Sequence, residues 1–297
     1  MSEPPSRLPG SSSGSTIAVI GLGLMGGSLV RALISREDGT RVLGATPDPR
    51  DRAAAERVLR VPAAPDARDV IADADLVVYA APLAPIVEMV PVHAPLLRDD
   101  AVVTDVAGLK RPILHAVQRA GLSSRYVGAH PMAGGERSGF DGGHEDLFRD
   151  ALVWLCADRG VEPHAAQTVE LFWSNLGCRP EWTDPESHDR LMERVSQLPQ
   201  LTANALALAL EDCGARASDL GPGGRDMTRL AESSPEVWRD LFAHTAPELA
   251  GLLRDLGGRL EELAVRLESG ELGAVAELMA RTGRWRVGRG KRASETE

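Results

Sequence analysis

A short glycine string between two segments of different period constrains this chain most. Thr16 to Ile20 (TIAVI) is a brief apolar run, and Gly21-Leu22-Gly23-Leu24-Met25-Gly26 follows it directly. From Leu24 to Ser35 the apolar residues Leu29, Val30, Leu33 and Ile34 fall at helical spacing. A buried strand, a G-x-G-x-x-G turn and a helix, in that order, open a dinucleotide-binding unit. The first glycine permits the tight turn, the second lets a pyrophosphate approach the backbone, and the third lets helix and strand pack closely. The helix start then offers free N–H groups and the positive end of its dipole to the phosphates. Gly21, Leu22, Gly23, Leu24, Met25 and Gly26 are therefore the expected cofactor contacts, and the expected cofactor is NAD+ or NADP+.

The alternation continues down the chain. Strand-like runs lie at 41–45, 76–80, 101–105, 126–129 and 151–157, and helical segments at 49–59, 84–97 and 111–120. Strands alternating with helices predict an α/β domain with a parallel sheet covered on both faces. After about residue 160 the period becomes helical throughout, at 164–176, 188–212 and 248–267. Leu249, Leu252, Leu253, Leu256, Leu260, Leu263 and Leu267 make a broad apolar stripe. Such a stripe needs a partner surface, either its own domain core or a dimer seam. The expected organisation is a disordered leader at 1–15, a Rossmann-type dinucleotide-binding domain at 16–160, a helical substrate and dimerisation domain at 161–283, and a basic solvated tail at 284–297.

Composition narrows the partners. The net charge of -10 repels phosphate backbones and anionic lipids, so neither nucleic acid nor a membrane is expected. No apolar run approaches the ~20 residues needed to span a bilayer, and the Ser/Pro/Gly-rich start lacks a signal core. Cys156, Cys178 and Cys213 are widely spaced and form no metal-ligand cluster. They read as reduced structural thiols of a cytoplasmic protein.

The nucleotide choice stays open. An acid about 20 residues past the glycines would take the ribose 2′-hydroxyl. Thr46 stands where that acid is expected, Asp48 is two positions late, and Arg50 and Arg52 can meet a 2′-phosphate. Farther on, Gly128 to Gly139 (GAHPMAGGERSG) sets His130, Glu136 and Ser138 in a glycine-rich loop after a strand. Histidine changes charge near neutral pH, so beside a nicotinamide it can accept a hydroxyl proton. Arg225, Asp226 and Arg229 fall in GPGGRDMTRLAESSPEVW, and arginine grips carboxylates through a planar two-pronged donor.

GLGLMGGSL, GAHPMAGGERSG and RDMTRLAESSPEVWRDL, in this order and at these separations, resemble the prephenate and arogenate dehydrogenase family from about Thr16 to Ala280. The resemblance implies oxidative decarboxylation of a cyclohexadienyl carboxylate with NAD(P)+, by a homodimer whose second domain is helical. It makes His130 the acid/base partner of the C4 hydroxyl and Arg229 the carboxylate ligand. Glu136 lines the pocket and pairs with Arg229, Ser138 and Gln200 join the substrate contacts, and Arg225 and Trp238 lie nearby.

Two departures bear on substrate. The family's D-x-[GA]-S-x-K reads Asp105-Val106-Ala107-Gly108-Leu109-Lys110 here. Gly108, counted with the cofactor contacts, lacks the serine hydroxyl that helps hold the histidine and the C4 hydroxyl. The family's S-H-L-P-H reads Ser196-Gln197-Leu198-Pro199-Gln200, and Gln200 can hydrogen-bond but carries no charge. Either a water replaces the hydroxyl or the substrate differs. Prephenate or arogenate is the expected substrate, and 4-amino-4-deoxyprephenate, whose C4 amine would remove the need for a hydroxyl at position 108, is the alternative. A β-hydroxyacid dehydrogenase or imine reductase also opens with G-L-G-x-M-G but uses a lysine on its interdomain helix, and this chain has no lysine between Leu152 and Arg281. A dinucleotide-binding sensor without catalysis is the non-enzyme alternative.

Overall fold

The computed structural model describes residues 14–135 and 137–288. Glu136, nearly all of the expected leader and the end of the basic tail lie outside the described residues. The chain divides into a unit ending at Thr245 and a second unit from Ala246.

The first unit is built on an eight-stranded sheet in the order β3-β2-β1-β4-β5-β6-β7-β8. In chain order its elements begin β1 (Thr16–Ile20), α1 (Leu24–Ile34), β2 (Arg41–Ala45), α2 (Pro49–Leu59), β3 (Ala63–Ala64), α3 (Arg68–Ile71), β4 (Leu76–Tyr79) and α4 (Leu83–His93). They continue β5 (Val102–Asp105), α5 (Arg111–Arg119), β6 (Tyr126–Pro131), β7 (Leu152–Cys156), α6 (Pro163–Asn175) and β8 (Arg179–Trp182). The inner strands are apolar on both faces because helices cover both. Ile17 and Val19 enter one core with Leu29, Phe172 and Trp173, while Ala18 and Ile20 enter the other with Ile86 and Ile113. The order reverses between β1 and β4, so the carboxyl ends of these strands open a crevice of the kind that holds ligands in such sheets.

Two sequence expectations are corrected here. The sheet does not end near residue 160, because α6 and β8 follow and β8 pairs parallel with β7. Nor is it wholly parallel. β7 runs antiparallel to β6: among the described residues the connection holds a single 3-10 turn and no crossover helix of the kind a parallel pair needs.

Helices then take over: α7 (Pro185–Met192), α8 (Leu198–Asp212), α9 (Pro222–Thr228), α10 (Pro235–Glu268) and α11 (Leu272–Val287). The single helix expected over 188–212 is α7 and α8 joined by a π-helical turn, Glu193–Gln197. Pro199 has no N–H to give to Val195, so the ladder shifts register, and the Leu198 N–H bonds Glu193 instead. α11 runs through Val287, so the expected tail from 284 begins as helix. No described helix is long and apolar enough to cross a membrane. Cys156 and Cys178 are buried, which pushes both thiols up to about 12, while Cys213 is exposed and so is no core thiol.

Candidate functional site

The glycine string does what its spacing predicts. Gly21 leaves β1 at φ 99°, a left-handed conformation that also lets its N–H reach the Ala45 carbonyl at 2.7 Å. A Cβ at Gly26 would lie 1.8 Å from the Gly21 carbonyl oxygen, so α1 packs on the turn only with glycine there. A Cβ at Gly23, the N-cap of α1, would meet nothing within 4 Å. That open backbone beside a helix N-terminus fits a pyrophosphate. Leu22 is fully buried and Leu24 and Met25 half-buried, so these three shape the turn through packing and backbone.

At the next strand end, Thr46 is buried and Asp48 caps α2, its Oδ1 accepting the N–H groups of Arg50 at 2.7 Å and Asp51 at 3.3 Å. The loop after β6 is tied to the same region. The Phe140 N–H donates to Asp51 Oδ1 at 2.9 Å, and the Arg31 guanidinium lies 4.2 Å from the centre of the Phe140 ring. A Cβ on Gly135 would lie 3.8 Å from Leu24. The segment that carries Ser138 therefore runs beside the glycine turn, with Ser138 itself exposed.

His130 sits on β6 itself rather than in the loop, at the carboxyl end of the strand. Its Nδ1 is 3.0 Å from His188 Nε2, and His188 Nδ1 is 2.8 Å from Asp189 Oδ1. Asp189 also accepts the backbone N–H groups of Lys110 at 2.8 Å and Arg111 at 2.9 Å. Burial alone would raise the Asp189 carboxyl, but His188 and these two amides outweigh it and hold it below its ordinary value. A carboxylate only accepts, so His188 carries its proton on Nδ1 and presents a lone pair at Nε2. His130 must then donate from Nδ1, which leaves the His130 Nε2 lone pair available. A Cβ on Gly108 would be 3.9 Å from that Nε2. Burial, with His188 and Lys110 adding to it, holds His130 well below its ordinary pKa, so it is a neutral base at neutral pH.

Burial also lowers His188, against the opposing pull of Asp189. Both histidines thus take up protons later in the folded chain than in the unfolded one. Above pH ~6.5 they are neutral in both states. Below it the unfolded chain binds protons first, and stability falls by up to about 1.4 kcal/mol per pH unit per histidine until the folded groups titrate. Urea unfolding at about pH 7.5 and about pH 5.5 should show this loss, and equal midpoints would refute it.

Beneath this chain, Lys110 is fully buried, forms an ion pair with Asp105, and donates to the Ala129 carbonyl at 2.6 Å. Asp105 also accepts from the Tyr126 hydroxyl at 2.8 Å and the Ala107 N–H at 2.9 Å. This network fixes the backbone on either side of the Gly108 and His130 positions.

The helices after the sheet bring up the rest. Gln197 and Gln200 are both buried. Gln197 Oε1 accepts from Thr245 on α10, and Gln200 Nε2 donates to Asn204 Oδ1 at 2.9 Å and to the Leu230 carbonyl at 2.7 Å. Gln200 Oε1 is buried with no hydrogen-bond partner among the described residues. Leu230 belongs to a 3-10 turn, Arg229–Glu232, so Gln200 holds the backbone beside Arg229. Arg225 lies on α9 and Arg229 opens that turn, both with exposed side chains. Leu241 of α10 stands 3.6 Å from where a Gly108 Cβ would be, and Trp238 stacks on Phe242 at 5.5 Å. Sequence reasoning missed His188, Asp189 and Leu241, and quoted Asp105 and Lys110 only as the ends of a motif, without their roles. For the first pair the sequence carried no signal, because the packing of their helix against a strand-end histidine exists only in the fold.

Two family models match the chain. "Prephenate dehydrogenase, nucleotide-binding domain" matches residues 30–181, starting inside α1, and "Prephenate dehydrogenase, dimerization domain" matches 184–281. The cyclohexadienyl dehydrogenase of Zymomonas mobilis is 29% identical over 266 residues, 85% of this chain and 88% of the relative. The solved prephenate dehydrogenase of A. aeolicus, in complex with hydroxyphenyl propionate and NAD+, superposes with a TM-score of 0.84 at 25% identity, covering 93% of this chain and 99% of that one. The Synechocystis arogenate dehydrogenase gives 0.76 at 27% identity, covering 91% and 98%.

Proposed function

This chain belongs to the prephenate dehydrogenase family, and we infer that it catalyses the NAD(P)+-dependent oxidative decarboxylation of prephenate or arogenate, to 4-hydroxyphenylpyruvate or tyrosine. The observation that carries the reading is the His130 Nε2 lone pair, fixed by His188 and Asp189 and set beside Gly108. When bound, the dinucleotide supplies the acceptor for the C4 hydride. His130 Nε2 takes the C4 hydroxyl proton as that hydride leaves. Loss of the ring carboxylate as CO2 then gives its electron pair to the ring, and the phenolate oxygen of the aromatic product takes the proton back. Arg229 binds a substrate carboxylate, and Arg225, Ser138 and Gln200 share the substrate contacts, with Glu136 assigned to them by the family resemblance alone. Positioning and one proton acceptor are all that the protein must add.

One observation favours arogenate of the two. Both donor hydrogens of Gln200 are spent, and its buried Oε1 can only accept. The side-chain ammonium of arogenate donates to such an oxygen, whereas the keto group of prephenate does not. The test is dinucleotide reduction with prephenate, arogenate and 4-amino-4-deoxyprephenate, each with NAD+ and NADP+. Turnover of prephenate or arogenate is expected. Silence in every combination, with dinucleotide binding intact, would overturn the reaction.

Gly108→Ser tests the missing hydroxyl. The Cβ fits, with its nearest neighbours 3.6 to 3.9 Å away. A hydroxyl beside His130 Nε2 should raise kcat/KM for the 4-hydroxy substrate about two- to ten-fold, the scale of one net hydrogen bond. An unchanged or lower value in a folded variant would show that the site does not need it.

The chain is proposed to act as a homodimer. The dimerization-domain match spans 184–281, and in the second unit Leu260 and Met279 are 60% and 66% exposed. Leu260→Glu with Met279→Glu should convert a dimer to a monomer in analytical ultracentrifugation. A monomeric wild-type chain would refute the dimer.

A further inference from the structure

We propose that this chain prefers NADP+ to NAD+, with Arg52 and Arg50 receiving the 2′-phosphate beside Thr46. The proposal rests on the dinucleotide reading above and concerns the end of β2. That end abuts the glycine turn, where the Gly21 N–H bonds the Ala45 carbonyl at 2.7 Å. In this kind of unit the residue that follows meets the adenosine ribose, and an acid there accepts both ribose hydroxyls while repelling a 2′-phosphate.

Here that residue is Thr46. Its N–H bonds the Ala64 carbonyl at 3.0 Å, and its short side chain carries no charge. The two nearby acids are each tied to local backbone. Asp48 Oδ1 accepts two N–H groups at the start of α2, and Asp51 Oδ1 takes the Phe140 N–H at 2.9 Å. Each carboxylate is thus held by local backbone through Oδ1, and neither stands at the position that directly follows the strand.

The cations are placed differently. Arg52 Nη1 donates to the Thr46 carbonyl at 3.2 Å, so its guanidinium lies at the strand end itself. Arg50 is exposed on the first turn of the same helix. Among the described residues no carboxylate forms a salt bridge with either, so their charge is not already matched. A planar guanidinium can meet a phosphate with two parallel N–H groups. An uncharged residue at the acid position, both carboxylates engaged and two unmatched arginines together favour the phosphorylated ribose.

The test is binding, read without turnover, by calorimetric titration of the full chain with NADP+ and NAD+. NADP+ should bind about ten-fold tighter or more, the scale of one charge-assisted hydrogen bond. Arg52→Ala should remove most of that advantage and leave NAD+ affinity within about two-fold, while Thr46→Glu should reverse the order. Equal or tighter binding of NAD+ by the wild-type chain would overturn the preference and leave the enzyme reading standing. If neither dinucleotide binds, the enzyme reading itself fails and the preference falls with it.

Discussion

His130→Asn is expected to lower kcat by about 10²- to 10⁴-fold while leaving dinucleotide affinity nearly unchanged, the range that loss of a general base produces. The substitution isolates the base. An asparagine amide can still donate to His188 Nε2 from roughly the place of Nδ1, so the buried contact survives while the outward lone pair is lost. The acidic limb of the wild-type pH profile adds a second check. His130 is held well below its ordinary pKa by burial, so kcat/KM should stay flat as pH falls through about 6.5 and decline only in more acid solution. Asp189→Asn should cost less than loss of His130, because the base remains but its tautomer is no longer imposed. It should also move the acidic limb lower, since the carboxylate that stabilises the imidazolium is gone. A His130→Asn enzyme that keeps more than about a tenth of kcat would remove His130 from the mechanism, because base catalysis contributes at least a hundred-fold.

What could be read from the chain follows from where the physical signal lies. The β1–turn–α1 opening was legible because buried strands are apolar throughout and the three glycines have separate steric duties. The domain boundary was not. β8 reads Arg-Pro-Glu-Trp, a polar edge strand with no apolar alternation, so it vanished into the helical stretch. The antiparallel step from β6 to β7 depends on a loop that returns without a helix, which no periodicity reports. α10 starts at Pro235, not at 248, because Pro247 looks like a helix start yet lies inside a 34-residue helix. At the site, His130 stood out through its glycine-rich surroundings. Its partner His188 is 58 residues away on a charged helix, where a lone histidine carries no signal. The carboxylate behind it was hidden for the same reason. Glutamines at 197 and 200 were visible as departures, but the sequence could not show that one binds Thr245 and the other braces the Leu230 carbonyl.

Lys110→Met should destabilise the fold by about 3–5 kcal/mol, the cost of removing one partner of a buried ion pair. Lys110 is fully buried, and its ammonium bonds the Asp105 carboxylate and the Ala129 carbonyl. Methionine fills the stem's volume but leaves Asp105 in the core with the Tyr126 hydroxyl and two backbone amides, at Ala107 and Ala129, to meet its charge. Asp105→Asn added to Lys110→Met should recover part of the stability, because the neutral amide no longer needs a cation, and a double-mutant cycle would measure that coupling. Activity should fall as well, since the Lys110–Ala129 bond anchors the strand one residue before His130. Against a total stability of about 5–15 kcal/mol, the single variant should shift the urea midpoint far enough to leave it marginal at ambient temperature. A shift worth less than about 1 kcal/mol would place the pair in wetter surroundings than its burial indicates, with the surface-like value that screening produces.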